Sequence, residues 1–246
     1  PGRAPSQCRR WHRRSMTGTQ LLLDLEMARH MGRADFLLAP SNAAALAALD
    51  DWRNWPLNRQ LLCGPKGSGR THLLRIWQAE TGAALLSGRD LSPDALELAA
   101  TAPGLAVDDA DRTAGDAGRQ ETLFHLFNLV QSRGVPLLLA APDAPGTWGL
   151  TLPDLESRVQ TCPIARLQRP DDHLLRMVLC KLCDDRQLAI GDETLTYLVT
   201  RMDRALDVAY RVVNALDHEA LSRQKRVSRT MAAEVLSRLF PNADQM

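Results

Sequence analysis

The sequence predicts an α/β protein in which a five-stranded parallel sheet, with helices on both faces, is followed by a small helical domain. Three observations support this prediction. Short apolar segments alternate with helical segments up to residue 170, only helical periodicity follows, and a glycine-rich turn joins the first strong apolar segment to a helix. Parallel strands that are buried on both faces read as apolar runs, which is what the alternating part shows.

The composition is that of a globular protein with a sizeable core, since 45% of the 246 residues are hydrophobic and 24% are charged. No apolar run approaches the ~20 residues needed to cross a membrane. The N-terminus also lacks the apolar segment of a secretory signal, so we expect a cytoplasmic protein without a membrane partner. Cys180 and Cys183 have the spacing of metal ligands, but no second pair accompanies them, and we expect reduced structural thiols.

The net charge of +1 hides an uneven distribution. Residues 1–15 hold five arginines and no acid, so the other 25 basic residues face 29 acidic residues, a formal charge of −4. A slightly acidic body argues against non-specific DNA binding as the main activity. The basic extension 1–15 lacks apolar periodicity and is predicted to be disordered. It is either a nucleic-acid arm or a segment upstream of a native start at Met16, which we favour.

The segment 16–40 is predicted to be an N-terminal arm. Its residues 20–25 read Gln-Leu-Leu-Leu-Asp-Leu. A short apolar peptide with a leading glutamine suits docking into a pocket of another protein, and the alternative is a first strand or a packed arm. A helix is predicted to begin at Ser41, with Ser41 or Asn42 as its cap, to present Trp52 on its apolar stripe, and to end before Pro56.

The remaining elements follow from hydrophobic periodicity. In the α/β core, 41–170, the predicted strands are 60–63, 83–86, 104–108, 135–140 and 162–167, and the helices between them are 70–80, 92–100, 117–133 and 152–159. In the helical domain, 171–246, the predicted helices are 171–186, 192–201, 203–220 and 228–239.

The glycine-rich turn between the first strand and its helix has the pattern of a phosphate-binding loop. Against G-x-x-x-x-G-K-[ST], Gly64, Gly69 and Thr71 match, while Arg70 takes the place of lysine. Backbone N–H groups of such a loop and the start of the helix bind phosphate oxygens. The alternative is an ordinary glycine-rich turn of a Rossmann-like sheet. Because a guanidinium is broader than an ammonium, Arg70 predicts a site that holds nucleotide and hydrolyses it poorly.

Carboxylates follow the third strand, at the edge of the sheet where the loop lies. Asp108 is placed to hold Mg²⁺ through water and Asp109 to orient an attacking water, although many strands simply end in a polar turn. Two arginines complete the candidate set. Arg158 precedes the last strand and Arg204 opens a helix of the helical domain, and each is either a surface residue or a group that reaches a γ-phosphate.

These motifs resemble the AAA+ family of the bacterial replication initiator DnaA. The resemblance covers residues 20–240 and rests on the order of the loop, Val107-Asp108-Asp109, Leu155-Glu156-Ser157-Arg158 and Asp203-Arg204-Ala205-Leu206. The sequence resembles the short regulatory homologues that inactivate the initiator more closely still. Arg70, the peptide 20–25 and the end of the chain soon after the helical domain favour those homologues.

The resemblance implies an AAA+ P-loop core followed by a helical lid domain, with ADP or ATP and Mg²⁺ as cofactors. Arg158 would be an arginine finger acting in trans, with Asp109 beside it in the catalytic set, and Thr71 and Asp108 would bind Mg²⁺. The residues implied in nucleotide binding are Gly64, Pro65, Gly67, Ser68, Gly69, Arg70, Thr71, His72 and Arg204. The residues implied in docking on the sliding clamp of DNA polymerase are Gln20, Leu21, Leu23 and Leu25.

The function implied is regulatory: a nucleotide-bound protein that docks on the clamp and stimulates hydrolysis of ATP bound to the initiator, meeting DNA through these partners. Homo-oligomerisation stays open. Two other functions are considered, a nucleotide-dependent scaffold that recruits proteins to DNA and an independent small P-loop NTPase or kinase. Ala140-Ala141, where the family has a polar sensor, and Val159-Gln160-Thr161, where it has an aromatic residue and glycine, depart from the family pattern.

Overall fold

The computed structural model of the chain describes residues 32–241. The basic extension 1–15 and the peptide Gln20–Leu25 lie outside the described residues, so the predictions made for them stay predictions. Among the described residues, none of the helices is both long and apolar enough to span a bilayer.

Five parallel strands form one sheet. They are β1 (Arg59–Cys63), β2 (Ala84–Ser87), β3 (Leu105–Asp108), β4 (Leu137–Ala141) and β5 (Ile164–Arg166). Their order across the sheet is β2-β3-β4-β1-β5. The register places Cys63 beside Ala141 and Ser87 beside Asp108, so the carboxyl ends of the strands meet at one edge. The loop that follows β1 therefore lies next to the carboxylates that follow β3.

Nine helices accompany the sheet within the described range. Five belong to the core: α1 (Ala43–Asp50), α2 (Arg70–Thr81), α3 (Ala95–Thr101), α4 (Ala117–Arg133) and α5 (Pro153–Gln160). Four follow β5: α6 (Asp172–Asp185), α7 (Asp192–Arg201), α8 (Leu206–Arg223) and α9 (Arg229–Leu239).

Alternate residues of the central strands enter two different apolar clusters, one on each face of the sheet. On β4, Leu137 and Leu139 pack in the cluster that includes α3, α4 and α5. Leu138 and Ala140 pack in the cluster that includes α1 and α2. This period of two is the geometry of a strand buried on both faces. The predicted fold, a parallel five-stranded sheet with helices on both faces, is confirmed.

The four helices after β5 share a third apolar cluster of their own, which includes Leu179, Leu198, Val212 and Val235. Cys183 is buried in this cluster, and burial raises the pKa of its thiol to about 11. A thiol with such a pKa stays protonated at neutral pH, as expected of a structural cysteine.

The predicted start of the first helix is wrong in its details. Asn42 occupies the cap position of α1, but its side chain makes no capping hydrogen bond. Instead, Asn42 Oδ1 accepts from Ala39 N at 2.9 Å and Nδ2 donates to Leu37 O at 2.9 Å. The Ser41 hydroxyl is buried and has no hydrogen-bond partner in the part of the chain that the structure describes. Both side chains therefore fail as caps, because Asn42 is used to hold the preceding segment. Trp52 lies in a short 3₁₀ turn after α1, not on its stripe.

Candidate nucleotide-binding site

The turn between β1 and α2 has a backbone that only glycine adopts readily. Gly67 has φ +76° and Gly69 has φ +99°, both in the left-handed region. At Gly64, a Cβ atom would lie 2.7 Å from Leu167 Cβ and 2.7 Å from Ser68 Oγ. The side chain of Lys66 is exposed in the middle of the turn, so Arg70 is the cation at the start of α2. The loop has the form that the phosphate-binding pattern predicts.

Polar atoms without partners surround this loop. The Ser68 hydroxyl, Nη1 of Arg70 and Oδ1 of Asp207 are all buried and lack a hydrogen-bond partner among the described residues. Ser68 is 4% exposed. Buried polar groups are almost always satisfied, and a cluster of orphans at one place fits a polar ligand or water. The Ser68 hydroxyl and the Arg70 guanidinium can donate to phosphate oxygens and therefore fit a phosphate group, whereas the Asp207 carboxylate is an acceptor and fits water or a donor group of a ligand.

The two residues predicted to bind Mg²⁺ are brought together. Thr71 Oγ1 donates to Asp108 Oδ2 at 2.8 Å. Asp108 Oδ1 accepts from the backbone N–H of Asp109 at 2.9 Å, which fixes the orientation of the carboxylate. Hydroxyl and carboxylate oxygens are the ligands that Mg²⁺ prefers beside phosphates, so this pair fits the ion. The assignment of the ion itself stays a prediction.

Arg70, predicted to hold nucleotide, and Asp109, predicted to orient an attacking water, are paired with each other. Arg70 Nη2 lies 3.7 Å from Asp109 Oδ1, and Arg89 Nε lies 2.7 Å from Asp109 Oδ2. Two guanidinium groups therefore neutralise one carboxylate. In this arrangement the Asp109 carboxylate contacts two cations. The positive charge of Arg70 is therefore partly compensated by Asp109 before any phosphate binds.

The backbone of Asp109 supports this arrangement. Its φ is +50°, an uncommon conformation for a residue with a side chain. A Cβ at Gly88 would lie 2.3 Å from Asp109 O, so the residue that follows β2 lies in close contact with the backbone of Asp109. Arg89 follows Gly88 and was not among the predicted site residues. Its position just after the carboxyl end of β2 is the signal that could have identified it.

The helical domain contacts the loop directly. The N–H of Leu206, the first residue of α8, donates to Gly67 O at 2.8 Å. A Cβ at Gly67 would lie 2.4 Å from Ala205 Cβ and 2.5 Å from Asp207 Oδ1. The first turn of α8 therefore lies against the phosphate loop. Asp207 was missed at the sequence level, because an acid in a first helical turn is ordinary.

Arg204 does not open a helix, contrary to the prediction. It precedes α8 and lies two residues before its start. The reason is local, since Ala205 is extended at the cap position and its N–H donates to Asp203 O at 2.7 Å. The guanidinium of Arg204 is exposed and lies 2.9 Å from Asp172 of α6. Its assignment as a nucleotide sensor stays a prediction.

A small cavity lies beside His72, between the segment before α1 and the lid helices. Its volume is about 40 Å³, and its lining includes Phe36, His72, Lys181 and Tyr210. Pockets that hold small ligands usually measure ~300–1,000 Å³. Lys181 Nζ lies 3.0 Å from Asp35 Oδ1 and so joins the lid to the segment before α1. A nucleotide base would need this cavity to widen.

His72 is held between these parts. Its ring meets Phe36 edge to face at 5.3 Å, and Nε2 lies 3.2 Å from Gly32 O. Burial lowers the pKa of His72 below its ordinary value of 6.5. The folded state therefore binds the proton more weakly than the unfolded state does, and stability falls as the pH decreases from 6.5 through the folded pKa.

We expect the thermal midpoint to fall as the pH is lowered below about 6.5, and His72→Gln to reduce this fall, because glutamine takes up no proton. Differential scanning calorimetry between pH 5 and 8 measures the effect. His173→Gln, at an exposed histidine, is the control and keeps the wild-type dependence. If the His72→Gln variant has the same dependence of thermal midpoint on pH as wild type, protonation of His72 is not its cause.

Arg158 lies on α5, and its side chain contacts α4. Its Cζ atom is 4.9 Å from the centre of the Phe124 ring, and Nη1 is 3.4 Å from Gln131 Oε1. The structure thus places Arg158 at the rim of the α4–α5 pair, half-buried and with its guanidinium over an aromatic ring. Its role as an arginine finger stays a prediction.

Comparison with known proteins begins from the sequence. No protein-family model matches the chain. It is 28% identical over 183 residues to an uncharacterised protein of Haemophilus influenzae, an alignment that covers 71% of this chain and 79% of that protein.

Solved structures give the fold. Domain III of the replication initiation protein DnaA from Thermotoga maritima superposes with a TM-score of 0.71 at 21% identity, covering 85% of this chain and 96% of that one. AMPPCP-bound DnaA from Aquifex aeolicus has a TM-score of 0.64 at 17% identity, covering 78% and 68%. A RuvB variant from Thermotoga maritima has a TM-score of 0.67 at 16% identity, covering 89% and 76%. The chain has a DnaA- and RuvB-like AAA+ fold.

Proposed function

We propose that this protein is an adenine-nucleotide-binding regulator of chromosomal replication initiation, most like Hda, which docks on the sliding clamp and stimulates hydrolysis of ATP bound to the initiator DnaA. One observation carries the proposal. The site keeps the phosphate loop and the Thr71–Asp108 pair, yet ties Arg70 to Asp109 and Asp109 to Arg89. Such a site is suited to holding a nucleotide and poorly suited to hydrolysing it.

Nucleotide binding is supported by the fit of the loop to a phosphate and by the AMPPCP-bound DnaA of the same fold. Thr71 and Asp108 would hold Mg²⁺ between protein and phosphates. The base would occupy the cavity beside His72 once that cavity has widened. The hydrogen bond from Leu206 N–H to Gly67 O would keep the first turn of α8 against the loop in the nucleotide-bound state.

Poor self-hydrolysis is supported by two features. The carboxylate of Asp109 contacts two guanidinium groups instead of being free to orient a water. The end of β4, whose Ala141 O accepts from Gly64 N of the loop, consists of Ala140 and Ala141, which have no polar side-chain atom to place beside a γ-phosphate. Action on a partner would then depend on an arginine at the surface, and Arg158 is the candidate.

The proposal is tested by mixing initiator preloaded with labelled ATP, clamp loaded on DNA, and this protein, and by following phosphate release. The protein alone should release phosphate well below the 1–100 s⁻¹ typical of kinases, and the full mixture should release it much faster than initiator alone. Turnover by the protein alone within the range of kinases would favour an independent NTPase. Absence of stimulation in the full mixture would favour a scaffold that recruits proteins to DNA.

Clamp docking is proposed for Gln20, Leu21, Leu23 and Leu25. Alanine at Gln20, Leu21 and Leu23 together is expected to abolish clamp binding, measured by surface plasmon resonance on immobilised clamp, because a short peptide binds through a few side-chain anchors. The thermal midpoint should hardly change. Leu22→Ala is the matched control within the same peptide and should keep binding. A triple variant that still binds the clamp, or one that unfolds, would identify the segment as structural.

A further inference from the structure

We propose that Phe124 is a positioning residue that fixes the orientation of the Arg158 guanidinium, so that the arginine is preformed for its partner. The consequence for catalysis rests on the proposed function, whereas the orientation itself does not. The observation that carries the inference is the cation–π contact of the two side chains, in which Arg158 Cζ lies over the Phe124 ring, 4.9 Å from its centre.

The two helices that carry these residues hold them at a fixed separation. On α5, Leu155 and Val159 are fully buried, and they pack in the same cluster as Leu123 and Phe127 of α4. Side chains three and four positions apart share one face of a helix, so Arg158 lies beside this buried stripe, at its rim. The backbone of Arg158 is therefore anchored by the core, and only its long side chain is free to vary.

The ring of Phe124 limits that variation. Phe124 is partly buried against the core cluster. Packing therefore holds its ring in place, and the exposed part of the ring is available to Arg158. A guanidinium is planar and stacks on aromatic faces, unlike an ammonium. The second contact comes from Gln131, two turns further along α4, whose Oε1 accepts from Arg158 Nη1 at 3.4 Å. Ring and amide together hold the guanidinium at two points, its centre over Phe124 and its Nη1 at Gln131.

Neither partner of Arg158 is an acid. An arginine tied to a carboxylate would have to break an ion pair before it reached a phosphate, as Arg70 and Arg204 would have to do here. Within residues 32–241 a ring and a neutral amide hold the guanidinium, and no carboxylate pairs with its charge. This is the arrangement that a group acting on phosphate charge in another molecule requires.

The experiment compares Phe124→Leu, which removes the ring, with Phe124→Tyr, which keeps it. We expect Phe124→Leu to lower the maximal stimulated rate of initiator ATPase about tenfold, with less than a twofold change in the concentration of protein that gives half of that rate. Phe124→Tyr should restore the rate. In an Arg158→Ala background, Phe124→Leu should have no further effect. Tyr197→Leu, which removes a ring beneath Arg201 and Arg229 in the lid, is the matched control.

A second readout needs no initiator. The Nε–H resonance of Arg158 in an NMR spectrum of the whole protein should show the ring-current shift of an arginine stacked on an aromatic face. The shift should persist in Phe124→Tyr and disappear in Phe124→Leu, or in Phe124→Met if the leucine variant is unstable. A resonance that does not move when the ring is removed would overturn the inference. If wild type shows the shift but does not stimulate the initiator, the orientation stands and the proposed function fails.

Discussion

Replacement of Arg158 by alanine is expected to leave nucleotide binding and clamp binding intact and to abolish most of the stimulation of initiator ATPase. An arginine finger acts on charge that develops in the transition state, so its removal lowers a rate and spares assembly. Arginine fingers contribute ~10³–10⁵ in rate, or about 4–7 kcal/mol. The measurement is single-turnover phosphate release from initiator-bound ATP, with the clamp and DNA present.

Two variants make this result specific. Arg158→Lys should not restore stimulation, since an ammonium cannot reproduce the planar fork of a guanidinium. Arg201→Ala removes another arginine that lies over an aromatic ring, 5.4 Å from that of Tyr197, and should stimulate as wild type does. If Arg158→Ala stimulates the initiator fully, Arg158 is not the finger. If it first lowers the thermal midpoint or nucleotide affinity, the arginine is structural.

Replacement of Gly67 by alanine is expected to weaken nucleotide binding about 10–100-fold. A Cβ at this position would lie 2.4 Å from Ala205 Cβ, much closer than two carbon atoms approach without repulsion. Relief requires the first turn of α8 to move away and to break its hydrogen bond to Gly67 O. Overpacking of this kind costs about 1–3 kcal/mol. We expect this cost to appear as lost affinity, about 10–100-fold, because α8 can move away in the free protein and must return against the loop when nucleotide binds. Titration with a fluorescent ADP analogue measures it.

Gly115 provides the matched control. Its φ is +81°, close to the +76° of Gly67, but nothing lies within 4 Å of a Cβ added there. Gly115→Ala therefore carries only the cost of a left-handed backbone, about 1–2 kcal/mol of global stability, and should bind nucleotide as wild type does. Equal affinities for the two variants would show that the contact between lid and loop has no part in binding.

Much of the fold was predictable because its determinants are local. Buried parallel strands read as apolar runs, and each predicted strand and helix of the core has its counterpart in the structure. The glycines of the loop were identifiable since a left-handed backbone and close approach need that residue. The prediction of the helix cap was wrong because a contact elsewhere competes with the local capping preference. Asn42 is a good cap by type, yet its side chain binds Ala39 and Leu37 instead.

The sequence by itself determined the class of fold and predicted a loop of the phosphate-binding pattern, with Thr71 and Asp108 at the same site. The chemistry of such a loop resides in consecutive residues, and its separation from the acids of the next central strand is characteristic. The two arginines around Asp109, the contact of Gly67 with Leu206, and the ring of Phe124 beneath Arg158 were decided only by the tertiary structure. These contacts join residues that are far apart in the chain. Strand order and helix packing decide which of them meet, and neither property is encoded in any local pattern.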